Sequence, residues 1–391
     1  MRKVAFLFAL MLIFSIPLEN SIALPGIGTL TKIIGVLTAA AWLLAVLADG
    51  GLRRPHPLHF WALAFLVWNV AGAFWSINLD MTLVRIKTYT QMVAMTLILW
   101  DLITTKKELN ASMQAYILGA GAALGTLLFN YANGRSLEQG RYSATGFNPN
   151  DFSLIIALAI PLAFSLASSK KNSKVFQGIN YAFIPLAFFA IFLTASRGSF
   201  VAVMPAIVFI AISVQRIGPM MRFPILFILL SAIVAAFTLL PEANIQRLTS
   251  VLTSIQSGEF GGRGIIWQES VSVFKKFPLA GVGSGTLPSV HNVFLSIVTE
   301  TGLIGFSIFA VLLIVVFHKA IQQPKWTALL WISVLMIWTI GAFIHTWENR
   351  KPTWLMFSFI IISSSIFKEA EPALARPACW PIHAHVTQAK S

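Results

Sequence analysis

Long apolar runs recur along the chain near 4–18, 27–48, 59–75, 89–104, 112–130, 152–168, 180–195, 200–215, 223–240, 292–316, 326–343 and 353–367. Each is long enough for a helix to cross or nearly cross hydrocarbon, so the pattern predicts an all-α polytopic membrane protein of roughly twelve transmembrane helices. The segment 241–290 is the only long hydrophilic interruption, and a loop of that length is expected to be functional. Within it, residues 265–277 set Ile266, Val273 and Phe277 at helical spacing opposite Gln268, Glu269, Lys275 and Lys276. That predicts a short amphipathic helix on the membrane surface. The reading therefore divides the chain into a multi-spanning domain at 1–368, with 241–290 as its large outer loop, and a disordered tail at 369–391. No repeat with a fixed period of 20–50 residues is present, which disfavours a solenoid.

Composition agrees with the pattern: 57% of the 391 residues are hydrophobic and 11% charged, a balance foreign to soluble domains. The net charge of +14 would suit nucleic acid, but the basic residues sit in short clusters between apolar runs, so they act as topology signals. Every short loop on one side carries a basic residue, among them Arg53, Arg54, Lys106, Lys107, Lys170, Lys171 and Arg216. The positive-inside rule then places both termini in the cytoplasm and 241–290 in the periplasm. Arg2 and Lys3 ahead of the run 4–18 and Ser21-Ile22-Ala23 also fit a cleaved secretory signal, whose removal would leave the remaining topology unchanged. The single cysteine, Cys379, excludes an intrachain disulfide and a cysteine-rich metal site.

Of the seven histidines, only His291 and His345 fall on the outer side. His291 precedes Asn292, a candidate N-cap, and the positive end of the following helix dipole should keep its imidazole neutral, as a general base requires. The alternative is an interfacial histidine that wets a helix end. Arg197, in the short turn Ser196-Arg197-Gly198-Ser199, is preorganised for a phosphate; its alternative is a headgroup anchor. Arg263, in a glycine-rich stretch that opens onto the amphipathic helix, forms a second candidate anion site, against an ordinary glycine turn with an exposed charge. Gly281-Val282-Gly283-Ser284-Gly285 has no preceding strand and is read as a turn. Glu300, nine residues after His291, points to the opposite helix face and is expected to pair elsewhere. His345, Trp347 and Lys351 in the last outer loop, with Arg141 and Tyr142 before Asn148-Pro149-Asn150-Asp151, are candidate glycan or acceptor contacts; an aromatic-belt and lipid-anchor role competes. The outer side has neither an Asp-x-Asp pair nor a His-x-x-x-His spacing, so no metal and no cofactor is expected.

At these residues the chain resembles the O-antigen ligase and polymerase superfamily of bacterial envelope glycan assembly. The matching pieces are Asn148-Pro149-Asn150-Asp151 opening a helix, Ser196-Arg197-Gly198 between two helices, Gly262-Arg263, the Gly281-Val282-Gly283 turn, His291-Asn292, and Glu300-Thr301-Gly302 with Gly305. The resemblance implies a helical inner-membrane glycosyltransferase that takes a glycan from undecaprenyl diphosphate on the periplasmic face, without metal or nucleotide. Carried over by position, His291 resembles the catalytic histidine and Arg197 and Arg263 the arginines that engage the diphosphate. The implied acceptor is lipid A-core for a ligase or a growing lipid-linked glycan for a polymerase; transfer to protein is a third possibility. A transporter or flippase is the competing class, but it calls for ionisable groups or broken helices near the bilayer midplane, whereas nearly all charges here fall at helix ends.

The topology is testable with single cysteines in a chain whose Cys379 has been replaced. Arg197→Cys, Arg263→Cys and His291→Cys are expected to react with an impermeant thiol reagent in intact cells, and Lys170→Cys and Arg216→Cys to be protected. Labelling of the native Cys379 from outside would overturn the arrangement.

Overall fold

A computed structural model describes residues 1–24, 28–137, 140–216, 242–249 and 263–370, together with Val234 and Thr238. Among them the only strands are β1 (Ala23–Leu24) and β2 (Gly28–Thr29), a two-stranded antiparallel hairpin. Everything else of regular form is helical: α1 (Arg2–Ser15), α2 (Leu30–Asp49), α3 (Pro57–Ala71), α4 (Leu79–Leu102), α5 (Lys106–Ala132), α6 (Pro149–Ala167) and α7 (Lys174–Leu193). These are followed by α8 (Arg197–Ala202), α9 (Met204–Ser213), α10 (Glu242–Thr249), α11 (Arg263–Lys276), α12 (Val293–Ile321), α13 (Lys325–Ala342) and α14 (Lys351–Ala370). Seven helices among the described residues are long and apolar enough to cross a membrane: α2, α3 with its extension to Phe74, α5, α6, α7, α12 and α13.

Burial separates an inner from an outer set of helices. Nearly every residue of α6 is buried, and Trp354, Leu355, Met356, Phe357, Phe359, Ile360, Ile361 and Ile362 of α14 are fully so. A helix that is apolar all round has no polar face to give to water and belongs at the centre of a bundle. The peripheral α2 does the reverse, turning Val36, Leu43, Leu44 and Leu47 outward. A soluble protein would leave such a surface in water at great cost; against lipid it costs nothing.

The structure refines the expected spans in four places. The apolar run 89–104 belongs to a helix that already starts at Leu79, because the Asn78 side chain caps it by accepting from the Met81 N–H at 3.2 Å. This brings Asp80, Arg85 and Lys87 into the helix. The run 200–215 is two pieces, α8 and α9, joined at Val203. The segment 265–277 is helical as expected, but α11 lies against α12 with Ser270 buried, while Phe277, expected on the apolar face, is half exposed. The run 292–316 is not one straight helix: α12 breaks at Gly302, whose φ of 67° and ψ of −175° are open to glycine alone. The run 223–240 apart from Val234 and Thr238, residues 241 and 250–262 of the outer loop, and all of the expected tail from 371 onward lie outside the described residues.

The break in α12 is filled by the loop that precedes it. Leu303 and Ile304 donate their N–H groups to the carbonyls of Pro278 and Leu279 at 2.8 and 3.3 Å, and Gly283 donates to the Glu300 carbonyl at 2.9 Å. The Trp68 indole from α3 takes the Thr301 carbonyl at 2.8 Å. A Cβ at position 302 would sit 2.1 Å from the Leu279 carbonyl oxygen, so both conformation and space demand glycine there. Gly302→Ala is therefore expected to destabilise the protein by on the order of 1–3 kcal/mol from backbone strain alone, with the clash added. Gly125→Ala, where no heavy atom lies within 4 Å of the new methyl group, should leave thermal unfolding in detergent unchanged or slightly raised.

Candidate active site

The turn before α8 and the turn before α12 share a feature of the backbone. Among the described residues, two that are not glycine adopt left-handed conformations, Ala195 with φ 46° and His291 with φ 55°. One stands two residues before Arg197 and the other is the candidate histidine itself. Such residues persist only where their surroundings hold them, and they concentrate at functional sites.

Both turns are well held. Ser196 caps α8, its hydroxyl accepting from Ser199 N–H at 3.4 Å and lying 2.9 Å from Ser199 Oγ. The Ser199 hydroxyl in turn hydrogen-bonds Ser153 of α6. Gly198 lies so close to Ile344 that a Cβ would meet its side chain at 2.7 Å, which ties this turn to the last outer loop. On the other side, His291 donates its backbone N–H to Thr346 Oγ1 at 3.0 Å, and Asn292 caps α12 by accepting from Leu295 N–H at 3.0 Å. The expected N-cap is thus present, with His291 immediately before it. Trp267 of α11 donates its indole N–H to the Val290 carbonyl at 3.0 Å, which fastens the helix that Arg263 opens beside His291.

The start of α6 joins these pieces. Asn148 caps the helix by accepting from Asn150 N–H, and Asn150 Oδ1 accepts from Arg141 Nη2 at 2.6 Å while Arg141 Nε donates to the Thr194 carbonyl. Asp151 accepts from the Trp347 indole at 2.9 Å and from Arg350 Nη2 at 3.0 Å. The motif read in the sequence as a helix start is also the bracket between the Arg141 segment, the Arg197 turn and the loop at 343–350.

The resulting cluster is rich in positive charge. Burial first, then the charge of Arg263, pushes the His291 imidazole below its usual pKa of 6.5, with Asp151 pulling the other way. His345 is 4% exposed, and its ring stands edge-on to that of His291 with centroids 6.5 Å apart. Burial lowers its pKa to about 4, with Arg263, His291 and Arg141 adding to the effect and Asp151 opposing it. Arg263 is itself depressed by burial and by the charge of Arg197. An arginine stays cationic regardless, so two partly buried guanidinium groups feel each other's charge, and that of Arg263 also acts on His291. Cations so placed suit an anion. Among the described residues no three His, Cys, Asp or Glu side chains group as metal ligands.

The structure thus brings together His291, Arg197, Arg263, His345 and Arg141, and places the other candidates elsewhere. Trp347 is 1% exposed and serves Asp151 from the interior, so it presents no open ring to a sugar. Lys351 is paired with Glu19, four residues beyond the end of α1. Tyr142 sets its ring edge-on to Tyr131 at 5.1 Å and donates its backbone N–H to the Leu193 carbonyl. Sequence reasoning missed Asp151 as the carboxylate facing both histidines and Thr346 as the partner of His291. The Asp151 signal was available, as a carboxylate in the first turn of a helix facing the predicted outer side.

A family model described as O-antigen ligase matches residues 182–310, a stretch that encloses Arg197, Arg263, His291 and the break at Gly302. The match supports the O-antigen ligase superfamily for this chain. A search of curated proteins found no match.

The electrostatics give a signed expectation for His291. Its imidazole should titrate below pH 6.5 and be neutral at pH 7; Arg263→Ala removes a depressing charge and should raise its pKa, whereas Asp151→Asn removes a raising one and should lower it further. Histidine ring NMR titration of the detergent-solubilised protein reads both shifts. Movement in the opposite direction for either variant would contradict the arrangement.

Proposed function

We propose that this protein is a glycosyltransferase of the O-antigen ligase type, multi-spanning in the bacterial inner membrane over residues 1–368. Its site faces the periplasm and both termini are cytoplasmic. The donor in this reading is a glycan on undecaprenyl diphosphate and the acceptor is lipid A-core. The observation that carries it is the convergence of His291, itself in a left-handed turn, with Arg197 beside the left-handed Ala195 and with Arg263 at the start of α11, inside the segment that matches the family.

The chemistry is an inverting displacement. Neutral His291 takes the proton from an acceptor hydroxyl, whose oxygen attacks the anomeric carbon from the face opposite the diphosphate. The anomeric carbon–oxygen bond breaks, and undecaprenyl diphosphate leaves with the bonding electron pair. Arg197 and Arg263 receive the charge that develops on it, which is where electrostatic stabilisation contributes most. Burial first and then the charge of Arg263 lower the His291 pKa, which favours the neutral form that a base requires. No metal is invoked, because the two guanidinium groups meet the diphosphate directly.

The clamp assignment predicts that Arg197→Ala and Arg263→Ala each lower turnover by roughly a hundred-fold or more, and that lysine restores little because it lacks the bidentate fork. Activity should persist in excess chelator. Lysine variants of normal rate, or chelator-sensitive turnover, would remove the clamp.

The choice between ligase and Wzy-type polymerase is separated by the His291→Ala variant. A ligase block leaves long undecaprenyl-diphosphate-linked chains accumulating beside undecorated lipid A-core; a polymerase block leaves single repeat units, some attached to core. Electrophoresis of lipopolysaccharide and of the extracted lipid-linked pool from one strain distinguishes them, and an unchanged ladder would exclude His291 from the reaction.

A further inference from the structure

Beneath the histidine loop lies a buried group of ionisable side chains that the proposed reaction does not use. Arg85 of α4 donates from Nη1 to Glu348 Oε1 at 2.8 Å, with Glu348 only 1% exposed. Glu300, 4% exposed on α12 just before its break, accepts from the Gly285 backbone N–H at 2.8 Å and also from the backbone of Leu287. The charge of Arg85 acts on Glu300 as well as on Glu348, and Arg85 Nε lies 3.2 Å from where a Gly285 Cβ would be. The guanidinium is ion-paired to Glu348, hydrogen-bonds Tyr89 of its own helix and lies close enough for its charge to act on Glu300. Removing it would leave both buried carboxylates without that cation, which ties the three positions together.

These contacts close into a ring that includes His291. Gly285 and Leu287 lie in the loop that leads to His291, and the backbone N–H of His291 is held by Thr346. Thr346 stands two residues before Glu348, which Arg85 holds, and Arg85 returns to Glu300. The left-handed backbone of His291 is thus fixed from both sides, by Glu300 through its own loop and by Glu348 through the facing loop.

We propose that Glu300, Arg85 and Glu348 form a positioning unit for His291, in which a charge change at either carboxylate alters the setting of the imidazole without any contact with it. The role assigned to the imidazole rests on the glycosyltransferase reading; its positioning does not.

The test uses the full-length protein in detergent and diethyl pyrocarbonate as a probe, with modification at His291 followed by peptide mass spectrometry. Glu300→Gln, Arg85→Met and Thr346→Val are each expected to raise the His291 modification rate at least three-fold. The rate at His318, exposed at the far end of α12, should stay unchanged and serve as the internal reference. Arg85→Lys, which keeps the charge, should recover part of the effect. The double variant Glu300→Gln with Thr346→Val should be no faster than the faster single variant, because both cut the same ring. Thr346→Val and Glu348→Gln are nearly isosteric and keep the test decisive if Arg85→Met does not fold. In turnover, the single variants should lose at least ten-fold in kcat with the KM for the lipid-linked donor unchanged. His291 rates within two-fold of the parent in folded variants, or independent additive effects in the double variant, would overturn the proposal. Absence of glycan transfer by the parent protein would instead count against the glycosyltransferase reading and leave the His291 rates to decide the positioning unit.

Discussion

Hydrocarbon offers no hydrogen bonds, so a helix that breaks inside or near it must find partners for every freed backbone group. The break at Gly302 is that constraint here. The freed N–H groups of Leu303 and Ile304 go to the carbonyls of Pro278 and Leu279, and the freed carbonyls of Glu300 and Thr301 go to Gly283 N–H and the Trp68 indole. The accounting closes only if the chain at 278–285 lies directly against α12, which Gly302 permits by having no side chain. The same loop leads on to His291. A backbone requirement of the broken helix thereby becomes a positional requirement for the loop that carries His291. Among the described residues the break is occupied by the protein's own loop.

The helices themselves were legible in hydropathy because burial in lipid and burial in protein select the same side chains. That equivalence is also why the pattern misled. Glycine is neutral in an apolar window, so the run at 292–316 reads as continuous although Gly302 interrupts it. Arg85 is hidden for the opposite reason: the expected span begins at residue 89, and the polar first turns of α4 read as loop although Asn78 caps them. The expectation that charges lie at helix ends fits most basic residues but hides Arg85 and Glu300, which lie within α4 and α12.

At the site, what the sequence revealed were residues whose role is local. Asn292 as a cap follows from its place before an apolar run, and the confinement of Arg197 follows from the shortness of its turn. What it did not reveal were partnerships across long separations. Asp151 reaches Trp347 and Arg350, and His291 reaches Thr346, over intervals that no spacing rule spans. Trp347 illustrates the ambiguity of an aromatic residue in a polar loop. The sequence leaves sugar platform and anchor open, whereas the fold buries the ring and gives its indole N–H to a carboxylate.

The division of labour among the cations follows from that bracket. Arg141 is committed to Asn150 and Thr194, Arg350 to Asp151, Arg85 to Glu348 and Lys351 to Glu19. Arg263 differs: the charges that bear on it are positive, and among the described residues it forms no ion pair. A guanidinium without a carboxylate, kept near another guanidinium by α11 docking on α12, is electrostatically unsatisfied, and folding energy from the surrounding packing must offset the repulsion. The strained turn at Ala195 adds to that cost and is offset by the Ser196 cap and the hydroxyl chain to Ser153. In the glycosyltransferase reading proposed above, an anion held by Arg197 and Arg263 would offset the effect of one charge on the other, most strongly as charge develops on the leaving diphosphate.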